Sequence, residues 1–396
     1  MNRTSPLAPF VRFAGVLLML LLIYGLQQAF FPPKVTDYNY YQGIVLNAGI
    51  AVILSVSLNL VNGITGQFSL GHAGFMAIGA YVSAYFTKEV GSQLLDPLSF
   101  FIGIALGALM AGLAGLLVGL PSLRLRGDYL AIVTLGFNQI IVSIIRNLEV
   151  IGGASGYSGI PAFTTIAWVW GLAFLCIFSI RNLASSSLGR SMRAVRDDEV
   201  AAEAAGINTT KVKVTAFVYS AMWAGVAGAL LVHFQQTATP ENFTFLQSIE
   251  VVVSVVIGGL GSITGSALAA AGLTILQEVL REVPGAFYTG IVVVFVAFYW
   301  NIQRLRAEKR ATPAHLVRTS ITSSICLLAI VGVYFYPLTH AFLENNKGAL
   351  RYVIYSLLLI IVMLLRPQGL LGRSEWSFAA LKRGQRIAPE VEGNLA

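Results

Sequence analysis

The sequence predicts an all-α polytopic membrane protein, and two observations support this fold class. The first is composition: of 396 residues, 56% are hydrophobic and only 11% are charged, with a mean hydropathy of +0.75. Soluble globular proteins carry roughly 25% charged residues, so most of this chain is expected to lie in lipid. The second is the length of the apolar runs, which are continuous over the roughly 20 residues that a helix needs to cross a bilayer.

The apolar runs predict about 10–12 transmembrane or half-membrane helices. Two runs, 267–282 and 286–300, are short for a full crossing and are interpreted as tilted, re-entrant or half-membrane segments. The first run is too long for a signal-peptide core and has no small-residue cleavage site, so it is taken as a span. The candidate spans are 11–31, 42–62, 69–88, 97–120, 129–147, 163–181, 213–234, 248–266, 267–282, 286–300, 319–340 and 349–366.

The distribution of basic residues predicts that both termini face the cytoplasm. With twelve crossings and the N-terminus inside, 20 of the 26 Lys and Arg residues fall on the inner side. Cytoplasmic loops collect Lys and Arg, which supports an N-in and C-in orientation with an even number of helices. The chain therefore divides into a transmembrane domain, 1–366, and a cytoplasmic tail, 367–396.

The sequence contains no motif for catalysis, metal binding or a bound cofactor. Cys176 and Cys326 lie inside apolar runs and the four histidines are far apart, so neither a disulfide framework nor a metal site is expected. A phosphate-binding loop, an H-E-x-x-H motif and a G-x-S-x-G nucleophile elbow are missing. The chain is therefore not expected to be an enzyme, and its net charge of +8 is attributed to basic inner loops rather than to nucleic-acid binding.

Three predicted helices carry small residues at nearly fixed spacing. Such ridges let helix backbones approach closely, which is how helices associate in lipid. Two interpretations remain open, a packing surface or the lining of a path through the membrane. The ridges are Gly103, Gly107, Ala111, Gly115 and Gly119; Ala73, Ala77, Ala80 and Ala84; and Ser220, Ala224 and Gly228.

The longest internal polar segment, 185–213, predicts a short amphipathic cytoplasmic helix over Gly189–Ala205. Basic residues come first and acidic residues follow, while Met192, Val195, Val200 and Ala204 form a loose apolar stripe. A glycine and an asparagine then give a helix stop. Such a helix either fits the groove of a partner protein or is a solvated connection between two spans.

Two interrupted segments combine polar residues with glycine at membrane depth. Polar side chains in lipid are costly, and broken helices are tolerated where they line a cavity or are buried in protein. Each segment is therefore either part of a substrate pathway or a packing hinge, and His72 is expected to hydrogen-bond a neighbouring helix or the turn. The first segment holds Asn59, Asn62, Gln67, Ser69 and His72 around the sequence GITG; the second holds Gly258, Gly259, Gly261, Ser262 and Gly265.

Several long stretches resemble the membrane permease of branched-chain amino-acid importers of the ATP-binding-cassette class, the LivM type. They are LNLVNGITGQFSLGHAGFMAIGAY (58–81), LRLRGDYLAIVTLGF (123–137), GRSMRAVRDDEVAAEAAGI (189–207), VVIGGLGSITGS (255–266) and MLLRPQGLLG (363–372). The first 40 residues and the basic segment 301–345, which looks like an insertion, depart from the resemblance.

The resemblance implies an importer permease fold and a role for the charged helix as the coupling helix that receives the motion of an ATPase. Its glycine follows Glu203-Ala204-Ala205 at once, whereas the general motif places it several residues later. The residues implied in coupling are Arg190, Arg193, Arg196, Asp197, Glu203, Ala204, Ala205 and Gly206.

The resemblance also implies a complex in the bacterial inner membrane. The expected partners are a second, related permease, two cytoplasmic ATPase subunits that bind ATP and Mg, and an external binding protein that delivers the substrate. Two alternatives remain: the same machinery carrying urea or short amides, and a secondary amino-acid transporter driven by an ion gradient. The second alternative would leave the coupling helix without a purpose.

Overall fold

The computed structural model describes residues 38–122, 128–279, 360 and 369. In this part the chain is helical apart from turns and one two-stranded ribbon, in which β1 (Tyr157–Ser158) pairs antiparallel with β2 (Thr237–Ala238). The helices are α1 Tyr38–Asn59, α2 His72–Tyr85, α3 Asp96–Ser122, α4 Asp128–Asn147, α5 Ile166–Ser185, α6 Ser187–Asp197, α7 Glu199–Ala204, α8 Thr209–Gln235, α9 Phe245–Gly258 and α10 Ile263–Val279.

Five of these helices are long and apolar enough to cross a membrane, which confirms the prediction of an all-α polytopic membrane protein. They have mean hydropathies between 1.6 and 2.4 and correspond to α1, α3, α4, α5 and α8. The candidate spans 11–31, 286–300 and 319–340 lie outside the described residues, and so does the possible insertion, 301–345. Of the span 349–366 only residue 360 is described, and of the tail only residue 369. The N-in and C-in orientation stays a prediction.

Two element boundaries were predicted wrongly. The span 248–266 is not one helix, because α9 ends at Gly258 and α10 starts at Ile263. The turn between them holds Gly259 and Gly261 at φ of 110° and 90°, a backbone region that side chains other than glycine rarely enter. The single coupling helix is two helices, α6 and α7, since Asp198 has an extended backbone and caps the second one.

The chain divides into two compact units, Met1–Ala271 with Gln368–Ala396 and Gly272–Pro367. The sites described below lie in the first unit. Its hydrophobic core is formed chiefly by α1, α2, α3 and α8, and includes Leu54, Phe100 and Leu230, each no more than 2% exposed.

The small-residue ridges of α2, α3 and α8 pack against one another. A Cβ on Gly79 of α2 would overlap the backbone of Gly225 of α8, and a Cβ on Gly107 of α3 would lie 2.7 Å from the Gly79 carbonyl oxygen. A Cβ on Gly228 would likewise overlap the Met76 carbonyl. The packing interpretation is therefore confirmed at Gly107 and Gly228, because these ridge residues lie where helix backbones meet. Gly79 and Gly225, which make the closest contact between α2 and α8, lie beside the predicted ridges and were not part of them.

The opposite end of this bundle from α6 and α7 is closed by the β-ribbon. Tyr157 of β1 donates a hydrogen bond to Glu89 (2.7 Å), and the Lys88 ammonium lies 4.2 Å from the centre of the Tyr157 ring. Burial, together with the hydrogen bond to Glu89, raises the pKa of Tyr157 well above its usual value. The Tyr81 hydroxyl donates to the Ala238 carbonyl (2.9 Å) and so ties β2 to α2.

Candidate functional site

The first interrupted segment is a turn at the end of α1 that is fixed by its own polar side chains. The last turn of α1 widens to a π-helix, Leu60–Ile64, and Gly66 then adopts φ of 74°. The Asn62 side chain pairs with the backbone of Ser69 on both sides, accepting from the Ser69 N–H at 3.1 Å and donating to its carbonyl at 3.4 Å. This side chain holds the non-helical residues 65–71 in a defined loop before α2 begins.

Asn59 joins this turn to the second interrupted segment. Its Nδ2 donates to the Ser262 carbonyl and its Oδ1 accepts from the Gly261 N–H, both at 2.9 Å. Asn59 is fully buried. A Cβ on Gly63 would overlap both the Asn59 amide and the Gly261 nitrogen, so glycine is required where the two breaks meet.

The break between α9 and α10 is itself closely packed. The N–H of Gly265 donates to the Ser262 hydroxyl (3.1 Å), which caps the first turn of α10. A Cβ on Gly258 would lie 2.5 Å from the Gly265 carbonyl, and a Cβ on Gly369 would lie 2.6 Å from the Gly259 Cα. Little space for another molecule is left among these glycines.

His72, the first residue of α2, is buried inside the protein. Its Nε2 is hydrogen-bonded to the Ser57 hydroxyl of α1 at 2.9 Å, and the next residue, Ala73, donates its N–H to the Ser248 hydroxyl of α9 at 3.0 Å. His72 therefore makes the contact with a neighbouring helix that the sequence predicts. Together these bonds join the start of α2 to α1 and α9.

Two buried amides remain unpaired in this region. Both amide atoms of Gln67, which was predicted at the site, and of Asn138 on α4, which was not, have no hydrogen-bond partner among the described residues. Asn138 is fully buried against Gly74 of α2. The contact between Asn138 and Gly74 could not be predicted from the neighbouring residues in the sequence, because it depends on how α4 crosses α2.

The eight predicted pathway residues thus come together as a junction of two broken helices. Seven of them are buried and Gly261 is partly exposed. Their predicted role in substrate passage stays a prediction, and their geometry is that of a packed hinge. The eight are Asn59, Gln67, Ser69, His72, Gly258, Gly259, Gly261 and Ser262.

Arg196 connects the coupling segment to this junction. Its Nη1 donates to the Gly63 carbonyl (3.2 Å), and its Nε and Nη2 donate to one carboxylate oxygen of Asp197 at 3.1 and 3.0 Å. A Cβ on Gly66 would lie 2.5 Å from the Arg196 Cγ, so the arginine stem lies across the turn that follows α1. A charged donor to a backbone carbonyl at a helix end makes a firm link between α6 and α1.

The other two arginines of the coupling segment are bound to their own connection. Arg193 donates to the Ala184 carbonyl at 3.0 Å and Arg190 to the Ser185 carbonyl at 3.4 Å. Both carbonyls belong to the last turn of α5, whose acceptors lack partners within the helix. Arg190 and Arg193 therefore cap α5, while Met192 and Val195 on the other side of α6 are buried.

Helix α7 is anchored at both ends. Asp198 accepts hydrogen bonds from the N–H groups of Val200 and Ala201, and Glu203 accepts from the Thr209 hydroxyl at 2.7 Å. Glu199 forms an ion pair of 2.6 Å with Lys213 of α8, whose side chain is only 8% exposed.

Between these anchors one surface of α7 faces outward. We call it the α7 surface; it consists of Val200, Ala201, Ala204, Ala205 and Gly206, all of which are exposed, and Val200 is 62% exposed. Among the described residues, no group of three or more His, Cys, Asp or Glu side chains could hold a metal ion.

The sequence of the chain is similar to those of known proteins. Residues 40–300 match the sequence profile of the family described as "Branched-chain amino acid transport system / permease component". The chain belongs to this permease family. The match includes both helix breaks and the α6–α7 segment, and it confirms the family identified from the sequence; the segment 301–345 lies beyond it.

Individual members of the permease family are also similar to the chain. It is 38% identical over 268 residues to the high-affinity branched-chain amino acid transport system permease protein LivM of Escherichia coli K12, which covers 59% of this chain and 62% of that protein. It is 25% identical over 275 residues to LivH of Escherichia coli K12, with 64% of this chain and 88% of LivH covered.

BraD of Pseudomonas aeruginosa is 26% identical over 281 residues, with 64% of this chain and 91% of BraD covered. The chain thus spans about 62% of the length of the LivM proteins of Escherichia coli and Salmonella typhimurium. None of the solved structures matches it.

Proposed function

We propose that this chain is a permease subunit of an ATP-driven importer in the bacterial inner membrane, and that it translocates branched-chain or other neutral hydrophobic amino acids. The observation that carries the proposal is the α6–α7 segment, an ordered charged element between two spanning helices whose Arg196 reaches the end of α1. LivM, LivH and BraD, to which the chain is similar, are branched-chain amino acid transport permeases, and this similarity favours the substrate class.

The proposed partners are a second, related permease, two cytoplasmic ATPase subunits and an external binding protein. ATP and Mg are assigned to the ATPase subunits, and no cofactor is assigned to this chain. The α7 surface is the proposed ATPase contact, because its side chains are small, apolar and exposed and the helix that carries them is anchored at both ends. Partner grooves receive short amphipathic helices in this way.

Motion of a docked ATPase would reach the membrane through two defined links. The first is the ion pair between Glu199 and Lys213, which joins α7 to α8. The second is the Arg196 contact with Gly63, which joins α6 to the hinge of α1 and, through Asn59, to the break before α10. Closely packed helices that are joined by ion pairs and hydrogen bonds move as rigid bodies, so a displacement of α6 and α7 is transmitted to α8 and α1.

Reconstitution tests the proposal. The chain is co-expressed with the neighbouring genes that encode the partner subunits, and the purified complex is placed in proteoliposomes. Uptake of leucine that requires both ATP and the binding protein is the expected result. Leucine uptake by the chain alone on a sodium or proton gradient would overturn the proposal, and uptake of urea but not leucine would replace the substrate class.

Variants of the α7 surface test the ATPase contact. Ala204→Arg introduces a long charged side chain into the α7 surface, and we expect the ATPase subunits to be lost on co-purification. Lys211→Ala is the control. Lys211 is exposed in the first turn of α8, seven residues after Ala204, and lies outside the α7 surface. Retention of the ATPase subunits by Ala204→Arg would place the contact elsewhere.

A further inference from the structure

Helix α4 has one buried and one exposed face, and the exposed face carries polar residues. Successive residues of an α-helix are rotated by about 100° around the helix axis. Residues within about 60° of Gly136 around this axis therefore lie on one face of α4. The residues on this face are Tyr129, Ile132, Val133, Gly136, Gln139, Ile140, Ser143 and Asn147; Val133 and Gly136 are partly exposed and the others are exposed. We call its middle part, which consists of Ile132, Gly136, Gln139, Ile140 and Ser143, the α4 polar face.

The centre of the α4 polar face faces away from the rest of the described chain. A Cβ on Gly136 would meet nothing within 4 Å. Gln139 is exposed near the middle of α4, and no described residue forms a hydrogen bond with its amide. Lipid acyl chains offer no hydrogen bond, so an amide at this depth is expected to face a partner or a water-filled cavity.

The exposed surface of helix α3 has the composition that suits contact with lipid. Its exposed residues are apolar along the membrane-spanning length and include Phe101 (57% exposed), Leu109 (53%), Leu113 (46%) and Leu117 (73%). An uninterrupted row of this kind suits contact with acyl chains. The α4 polar face differs from it by an amide and a hydroxyl placed between isoleucines.

The α4 polar face also differs from the close helix contacts of this chain. Where α2, α3 and α8 meet, small residues recur along each ridge and the backbones nearly touch. On the α4 polar face the two small residues, Gly136 and Ser143, are seven positions apart, and Ile132 and Ile140 flank Gly136 with exposures of 65% and 53%. Small residues do not recur here every three or four positions as they do along α2, α3 and α8, so this face does not favour the same close contact with a second helix.

The buried junction of the two broken helices offers few free polar groups. Asn59 and His72 are occupied by hydrogen bonds inside the protein, and the glycines near Gly258 fill the space around them. A path for a zwitterion needs exposed groups that donate and accept hydrogen bonds at membrane depth. Gln139 and Ser143 offer such groups on one spanning helix.

We propose that the α4 polar face lines the path of the substrate, and that the ligand is a small zwitterion with an aliphatic side chain. This inference rests on the proposed function. The Gln139 amide both donates and accepts, so it can pair with the carboxylate and the ammonium group of an amino acid. Ile132 and Ile140 contact the aliphatic side chain, and Gly136 leaves room for it between them.

Cysteine accessibility in the assembled transporter tests the proposal. Gln139→Cys and Ser143→Cys are made singly in a background with Cys176→Ala and Cys326→Ala, and each is treated with a charged, membrane-impermeant thiol reagent. Leu109→Cys and Leu113→Cys on α3 are the matched controls. Only ionised thiols in water react, so we expect the α4 positions to be modified at least about tenfold faster than the α3 positions.

Two further measurements separate the path from other wet surfaces. Saturating leucine should slow modification of Gln139→Cys, and modification should abolish leucine uptake that the unmodified variant retains. Modification no faster than at Leu109→Cys would overturn the proposal, and so would rapid modification that leaves uptake unchanged. Wild-type leucine uptake is measured first: if it is absent, the proposed function fails, while the modification rates still report whether the face is wet.

Discussion

Asn59→Ala should loosen the junction of the two broken helices without unfolding the helices. The substitution removes one side chain that holds two backbone groups, the Gly261 N–H and the Ser262 carbonyl. The Ser262 carbonyl still accepts from the Ser266 N–H and hydroxyl at 3.1 and 3.0 Å. The Gly261 N–H is the group that loses its partner.

The expected cost follows from this difference. Removing one partner of a hydrogen bond, so that a buried donor is left unpaired, costs about 1–3 kcal/mol. We therefore expect the free energy of opening at Gly261 to fall by about 1–3 kcal/mol. Since 1.4 kcal/mol corresponds to a factor of ten, this predicts that the Gly261 amide exchanges about 5- to 140-fold faster.

Hydrogen exchange followed by mass spectrometry on the full chain in detergent measures this rate in peptides that cover 259–266. Asn147→Ala is the control: Asn147 also donates to a backbone carbonyl, that of Ser143 at 2.7 Å, but it is exposed. We expect the control to change stability by less than about 0.5 kcal/mol. An unchanged exchange rate at Gly261 in a folded Asn59→Ala protein would refute the role of Asn59 as the link.

Two other predictions concern packing and charge. Glu199→Gln should lower the melting temperature of the solubilised chain more than Lys213→Met. Glu199→Gln leaves the buried Lys213 ammonium without a counter-charge, at a cost of about 3 kcal/mol. Lys213→Met leaves the Glu199 carboxylate, which is partly exposed and can turn to water. The reverse order would show that burial of Lys213 does not dominate. Gly79→Ala should reduce the yield of folded protein, since its methyl group would overlap the Gly225 backbone, whereas Gly272→Ala, which meets nothing within 4 Å, should not. Equal yields of the two variants would contradict the close contact of α2 and α8.

Apolar runs located the long helices because lipid imposes a length and a composition that leave few alternatives. The spans 97–120 and 129–147 agree with α3 and α4 to within a few residues. The glycines at 258–265 also marked a break correctly, although the span 248–266 was drawn through it. Positive φ at Gly259 and Gly261 is the physical reason why the helix stops there.

The sequence predicted less about which residues meet. Arg196 and Gly63 are 133 residues apart, so no local pattern could show that this arginine points into the protein. The division of the coupling segment was more accessible, because an aspartate followed by Glu199 is typical of a helix start. High helix propensity on both sides of Asp198 obscured that signal.

The buried polar residues show a similar limit. Asn59 and Asn138 both lie in apolar surroundings in the sequence, yet one is fully paired and the other has no partner among the described residues. Only the crossing of helices distant in sequence distinguishes them.

The extended backbone at Asp198 separates two tasks that one straight helix would have combined. Contact with the membrane hinge belongs to α6 through Arg196, and the outward surface belongs to α7. Val200, Ala201 and Ala204 are exposed, so substitutions there change the outward surface and leave the buried helices and the Arg196 contact intact. On the proposed function, the chain would therefore adapt to a different ATPase through changes in α7 alone.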